Sequence, residues 1–279
     1  MKKIPITVIV PVRNEEKNLL NMLPLLDEFD EVIVVDSHST DKTSEIVESF
    51  GYQLVEFDWN GHFPKKRNWT LRNVPIRNEW VFFVDADEYM TPEFINALRE
   101  EFNDTKDNVG YWVYYTNYFM GHLLKHGDPI HKLALFKKSA GEYEHTDAED
   151  DDNSWGYAGL ELHEQPVLKG GTIGTIKAKV DHKENRGLEA YIKKHNEFST
   201  WEANRYLKQL NVRDRKGKTL RQHVKYALLD SWVLSSIYFI YVYFFKLGFL
   251  DGRAGYVYAS LKKHYFFTIK AKIDEKKNK

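Results

Sequence analysis

The stretch Trp80-Val81-Phe82-Phe83-Val84-Asp85-Ala86-Asp87-Glu88 constrains this chain more than any other. Five apolar residues in a row read as a strand buried on both faces, as in parallel sheets, and the run delivers three carboxylates at its C-terminal edge. Open α/β sheets bind ligands at that edge. Like charges this close repel, and each resists burial unless something positive sits among them, so stability alone does not explain the pattern. In an extended segment Asp85 and Asp87 point the same way, and their hard oxygens suit Mg2+ or Mn2+ that is also held by substrate phosphates. The alternative is a set of acids capping the helix that starts near Thr91-Pro92, a role that suffices for Glu88.

Two strand-loop-helix units precede this run. Ile6-Thr7-Val8-Ile9-Val10 leads through Pro11-Val12-Arg13-Asn14-Glu15-Glu16, where Asn14 is expected to cap a helix carrying Leu19, Leu20, Leu23, Leu25 and Leu26. Val32-Ile33-Val34-Val35 is a second buried strand ended by Asp36, and Ser37-His38-Ser39-Thr40-Asp41 leads into a helix through Ile46 and Val47. Residues 52–57 give a third strand. Strands alternating with helices predict an α/β fold, a doubly wound and mostly parallel sheet with right-handed crossovers.

An Asp that ends the second strand suits a ribose hydroxyl or a base edge. No G-x-G-x-x-G follows the first strand, however, and no G-x-x-x-x-G-K-[ST] occurs anywhere, which excludes a Rossmann dehydrogenase and a P-loop NTPase. Phosphate charge must then be met by side chains. Lys65-Lys66-Arg67, in the loop after Trp59-Asn60-Gly61-His62-Phe63-Pro64, supplies the cations, unless the three form only a solvated basic turn.

Beyond the acids, 92–102 is read as a helix, 110–119 as an aromatic strand whose rings are mostly structural, and 131–136 as another strand. Residues 142–152 contain seven acids, yet a calcium loop starting at Asp151 fails because Trp155 and Leu162 fall where oxygen ligands belong. A solvated loop is the plain reading, and a lid over an acceptor the other. An apolar alternation through Ile173 and Ile176 then leads to Asp181-His182 and Arg186, and 188–210 has the length and pattern of a surface helix.

Four of these motifs, in this order, resemble the family 2 glycosyltransferases: Val8-Ile9-Val10-Pro11-Val12-Arg13-Asn14-Glu15-Glu16, Asp36-Ser37 with Ser39-Thr40-Asp41, Lys66-Arg67-Asn68, and Asp85-Ala86-Asp87-Glu88. The likeness is to bacterial enzymes that add β-linked sugars in lipopolysaccharide-core or other surface-glycan assembly, and it spans roughly the first 200 residues. It implies a GT-A fold and a nucleotide-sugar donor, read as a UDP-sugar. It assigns Pro11, Val12, Arg13 and Glu15 to the nucleoside pocket, Asp36 with Ser37 to the base, Lys66, Arg67, Asp85 and Ala86 to donor contacts, and Asp87 to the metal. The family's His-Glu pair matches His163-Glu164, which makes Glu164 the expected general base, with Asp150, Asp151 and Asp152 as alternatives. Such a base contributes typically about 10²–10⁴ in rate. His182 and Arg186 are expected to approach the diphosphate, although His182 equally suits a structural role.

The C-terminal part differs in kind. Residues 205–279 hold 17 basic against 5 acidic residues, a net +12 that leaves −13 for residues 1–204, so this part is expected to meet an anionic surface. We place a boundary at Arg213-Asp214-Arg215-Lys216-Gly217-Lys218, giving a glycosyltransferase domain over 1–212 and a helical membrane-association region over 213–279. Residues 227–245 are almost wholly apolar and as a helix cover about 28 Å, near the minimum for a membrane span. Asp230, the many tyrosines and the basic residues on both sides favour a monotopic hairpin lying on the cytoplasmic face of the inner membrane over a true span or a buried homo-oligomer contact.

The absence of cysteine excludes disulfides, thiolate metal sites and cysteine nucleophiles. The first ten residues imitate a signal peptide, but Arg13, Glu15 and Glu16 follow without a small-residue cleavage site, so they are read as a strand. Nucleic acid is not an expected partner. The rival functions are a sugar-nucleotide nucleotidyltransferase, for which the Gly-rich basic signature near the first strand is missing, and a non-catalytic membrane adaptor.

Overall fold

The computed structural model describes residues 2–60, 64–102, 107–127, 129–143, 165–183, 187–211 and 228–278. They fall into two compact units, one of residues 1–117 with 129–185 and one of 118–128 with 186–279. The division differs from the boundary expected at 213. The helix over Gly187–Asn211 and a short hairpin near residue 120 both group with the C-terminal chain.

In the first unit, β1 (Ile4–Val12), β2 (Phe29–Asp36), β3 (Gln53–Glu56) and β4 (Trp80–Phe83) form a parallel half-sheet in the order β3-β2-β1-β4. Helices α1 (Glu16–Met22), α2 (Thr43–Ser49) and α3 (Lys66–Asn73) lie between successive strands. The alternation of side chains along a strand explains the apolar runs. Val8, Val10, Val34, Phe82 and Val84 pack with Leu19, Phe94 and Leu98 on one face, while Ile9, Ile33, Val35, Val81 and Phe83 pack with Leu71 and Val74 on the other. With helices on both faces, neither set of side chains can be polar.

The chain then adds β5 (Glu88–Tyr89), α4 (Pro92–Phe102), β6 (Asn108–Phe119), β7 (His122–Leu124), β8 (Ile130–Lys137), β9 (Gly141–Tyr143), β10 (Pro166–Leu168) and β11 (Thr172–Lys183). The sheet continues from β4 through β8, β6 and β11 to β5, with β8 antiparallel to β4 and to β6, and β11 antiparallel to β5. Antiparallel return of β8 has a consequence for the acids. Its pairing of Trp80 with Lys137 and Phe82 with Leu135, carried three residues further, sets Lys132 beside Asp85.

The second unit is helical. Helix α5 (Gly187–Asn211), α6 (Val233–Ile240) with a π-helical continuation over Tyr241–Phe245, and α7 (Gly252–Lys277) surround two small cores, one of Phe119, Leu124, Tyr191, Ala254 and Tyr258, the other of Ala203, Tyr206, Leu229, Ile269 and Ile273. The run read as one helix over 227–245 is interrupted: Leu228 and Leu229 are helical, residues 230–232 are not, and the main helix begins at Val233. It stops at Leu247, whose φ of 58° is left-handed, a conformation that costs a non-glycine residue about 1 kcal/mol or more.

Candidate active site

Three parallel strands end together. Val12 of β1 pairs with Asp36 of β2, and Val84 donates its N–H to the Ile9 carbonyl, which leaves Pro11, Val12, Asp36, Ser37 and Asp85 along one edge. The loops that follow β1 and β2 hold each other in place. Asn14 N–H donates to Ser39 Oγ at 2.8 Å, Thr40 N–H to Asn14 Oδ1 at 2.7 Å, and Glu15 N–H to Thr43 Oγ1 at 2.9 Å. Asn14, at φ 55°, therefore bridges two loops instead of capping α1, whose N-cap position is Glu15. The Glu15 carboxylate accepts from Asn18 Nδ2, and Arg13 is exposed.

Asp36 is buried, and its carboxylate accepts from the Ser39 N–H and, at 2.6 Å, from the Ser39 hydroxyl. The Ser44 hydroxyl also donates to it at 3.3 Å, so of the roughly four acceptor sites of a carboxylate about one is left for a base or ribose contact. Lys65, Lys66 and Arg67 are not in a loop: they form the N-cap and first turn of α3. Lys66 Nζ donates to the Val12 carbonyl at 2.9 Å, and Arg67 lies 5.0 Å over the Tyr143 ring.

The acids themselves are arranged differently from the extended run expected for 85–87. Strand β4 ends at Phe83, and Glu88 N–H donates to the Asp85 carbonyl at 2.9 Å, closing a turn through Ala86 and Asp87. The two aspartates consequently have different partners. Asp85 sits between Arg67, at 3.3 Å, and Lys132, at 2.5 Å. Asp87, almost fully buried, lies 3.6 Å from His182 Nε2. Glu88 caps no helix. Its side chain is inaccessible, pairs with Lys132 and accepts from the Asp85 N–H, whereas Thr91 Oγ1 accepts the Phe94 N–H at the start of α4.

Burial pushes the Glu88 carboxyl up to about 7, against the pull of the Lys132 ammonium and with a push from Asp85 and Asp87. Burial also opposes the charge on Lys132, but Asp85 and Glu88 together hold it well above its ordinary value. The buried hydroxyl of Tyr115, its ring 5.2 Å from Lys132 Nζ, is pushed far up by burial and by Glu88. Arg67, Phe83, Asp85, Lys132, Ala134, Tyr143 and Gln165 line a small open pocket at this point.

Lys132 is the site residue that sequence reading misses. Its only local signal is a lone lysine in the apolar strand His131-Lys132-Leu133-Ala134-Leu135-Phe136, and what that lysine faces depends on the register of β8 against β4. Glu164, Arg186 and Asp150–Asp152 lie outside the described residues.

A divalent ion fits Asp87 and His182. Their oxygen and nitrogen donors are close enough to reach one ion, held there by the pairing of His182 with Glu88 across β11 and β5 and by the Lys183 N–H to Asp87 carbonyl bond. Among the described residues no three His, Asp or Glu side chains converge as a complete metal site, so the remaining ligands of such an ion would come from a donor and water. Asp85, already satisfied by two cations, is less disposed to bind a third.

Comparison with known proteins identifies the family. A family model described as "Glycosyl transferase family 2" matches residues 7–159. An uncharacterized glycosyltransferase of Rickettsia bellii is 40% identical over 70 residues, which cover 25% of this chain and 23% of that protein. The lipopolysaccharide core biosynthesis glycosyltransferase LpsC of Rhizobium meliloti is 24% identical over 97% of this chain and 92% of its own. Among solved structures, the mannosyltransferase PcManGT of Pyrobaculum calidifontis, in complex with GDP-Man and Mn2+, aligns with a TM-score of 0.54 at 18% identity over 99% of this chain and 89% of its own. The fold is GT-A, with a C-terminal helical extension. More than half of the chain fits that family model, and the chain belongs to glycosyl transferase family 2.

Proposed function

We propose that this chain is an inverting, metal-dependent glycosyltransferase that moves a sugar from a nucleotide-sugar donor, a UDP-sugar in our reading, to a lipid-linked or lipopolysaccharide-type glycan. The observation that carries the reading is the convergence of Asp36, Lys66, Arg67, Asp85, Asp87 and His182 in the first unit, with cations and acids interleaved where the parallel strands end. The function named for the Rhizobium relative supports the acceptor class, and the ligands of the Pyrobaculum enzyme support a nucleotide sugar with a divalent ion.

In this reading Pro11, Val12, Arg13 and Glu15 line the nucleoside pocket and Asp36 with Ser37 holds the base. Lys66 and Arg67 turn toward phosphate oxygens. Asp87 and His182 hold Mg2+ or Mn2+, and an imidazole beside a carboxylate favours Mn2+. When bound, the ion neutralises charge on the departing nucleoside diphosphate. Asp85, steadied between Lys132 and Arg67, accepts a hydroxyl of the donor, with Ala86 beside it and Arg186 near the diphosphate. Glu164 takes the proton of the acceptor hydroxyl as its oxygen bonds to the anomeric carbon, while the bond from that carbon to the diphosphate breaks on the opposite face. An α-linked donor thus gives a β-linked product.

The test is a panel of UDP-, GDP- and CMP-sugars with Mn2+ or Mg2+, read by thermal shift and by product. Metal-dependent stabilisation with nucleoside diphosphate release supports the proposal. Pyrophosphate release would favour the nucleotidyltransferase, and binding to vesicles with every nucleotide sugar left intact would favour the adaptor.

A further inference from the structure

The second unit carries a feature that sugar transfer does not use. Thirteen of the 22 large apolar side chains that are exposed among the described residues fall within residues 228–267, which is more clustering than ordinary surface scatter gives. Val233, Ile237, Ile240, Tyr241 and Phe244 follow helical spacing along one face of α6 and its π-helical end, and Phe245, 77% exposed, continues it. The opposite face is apolar as well and already covered. Val242 is buried, and the Tyr238 ring packs at a tilt against Phe266 of α7, centroids 4.5 Å apart. A helix apolar all round with one face uncovered calls for a second apolar medium.

The charges around the patch say which medium. Residues 231–245 contain no charged side chain. Asp230 is paired with Lys270 and Lys277, and Asp251 accepts the N–H groups of Lys125 and His126, so the nearby acids are engaged. The bases are not so confined. Arg253, Tyr256, Lys263 and Phe267 recur on one stripe of α7, and that stripe is continuous with the patch, because Tyr256 meets the Phe239 and Tyr243 rings and Phe267 meets Trp232 at 5.1 Å. Lys246 sits over the Tyr241 ring. Apolar and aromatic side chains rimmed by bases match a phospholipid surface with anionic headgroups.

Shape argues against crossing. No single described helix is long and apolar enough to span; the segments Val233–Phe245 and Gly248–Lys277 reach that length and hydropathy only together, and they meet at 74°, a bend that a straight span does not have. Thirteen residues of helix cover only about 20 Å of a hydrocarbon core of about 30 Å. We propose that the corner formed by α6, its π-helical end and the start of α7 lies in the interface of an anionic phospholipid bilayer, with Phe244, Phe245 and Leu250 among the acyl chains and Arg253 and Lys263 at the headgroups. The proposal stands on the second unit alone and does not require the catalytic assignment.

The test uses the full chain and flotation on vesicles of phosphatidylcholine with and without phosphatidylglycerol, together with Trp232-sensitive fluorescence quenching by brominated lipid. Phe244→Ser with Phe245→Ser is expected to lower the partition coefficient about tenfold or more, and Arg253→Glu with Lys263→Glu to remove only the gain from phosphatidylglycerol. Circular dichroism and the thermal midpoint check that each variant folds. Absence of flotation by the folded wild type, or flotation unchanged in both variants, overturns the proposal. So does light scattering that shows a dimer which the Phe244→Ser, Phe245→Ser variant splits, since the patch would then face a second copy of the chain.

Discussion

The strand edge of the first unit and the helical corner of the second depart from ordinary protein surfaces in opposite ways. At the edge, charge is buried: Asp36, Asp87 and Glu88 are nearly or wholly inaccessible and persist through partners brought from other strands and loops. At the corner, apolar surface is exposed, and the adjoining charges stand on the rim. Neither pattern lowers the free energy of an isolated chain in water. Each becomes favourable only with something else present, which on our reading is a metal-bound diphosphate in one case and a lipid surface in the other. Buried charge can fix the position of a small ligand, whereas exposed apolar area recognises a medium.

The comparison breaks most sharply at Asp87 and Glu164. Asp87→Asn and Glu164→Gln are expected to lower transfer by about 10²-fold or more each, the first also weakening Mn2+-dependent donor binding in calorimetry. Wild-type turnover in either variant removes that residue from the chemistry. Next in size, Lys132→Met leaves Asp85 and Glu88 without their shared cation. Because the lysine side chain is about one-third exposed, the expected loss is nearer 2–3 kcal/mol than the roughly 3–5 kcal/mol of a fully buried pair, read by urea unfolding. An unchanged midpoint would show that the cluster does not need the lysine.

Smaller and more diagnostic is the pH dependence of Glu88. In the unfolded chain its carboxyl titrates near 4.5 and in the folded one near 7, so between these values the folded state holds the extra proton. Stability should therefore be greatest below about 4.5 from this group and be lost as pH rises to about 7, by up to about 2–3 kcal/mol. Glu88→Gln, unfolded in urea across that interval with a chelator present, should flatten the slope. A slope identical to wild type would assign the pH dependence to other groups and weaken the contrast between the two regions.

Much of the fold is legible because it is local. The apolar runs at 6–10, 32–35 and 80–84, each followed by polar loop residues, specify buried parallel strands, and period-2 alternation sends their side chains into the two observed cores. The acids after the third run mark the edge in the same way. Less legible were the partners. Asn14 looked like a cap because capping is decided within four residues, but its actual bond is to Thr40, 26 positions away. Glu88 looked like the start of α4, yet Thr91 takes that role and frees Glu88 for Lys132.

Sequence by itself determined the class of sheet, the edge at which the acids emerge, and the uncharged aromatic stretch near the C-terminus, because each is a pattern of neighbours along the chain. Only the tertiary structure decided that Asp85 and Asp87 have separate partners, that Lys132 stands between Asp85 and Glu88, and which face of the C-terminal apolar run is left bare. The physical reason is the same in all three. Strand register, turn closure and helix packing bring together groups tens of residues apart, and the energy of a charge or an apolar face depends on what arrives beside it.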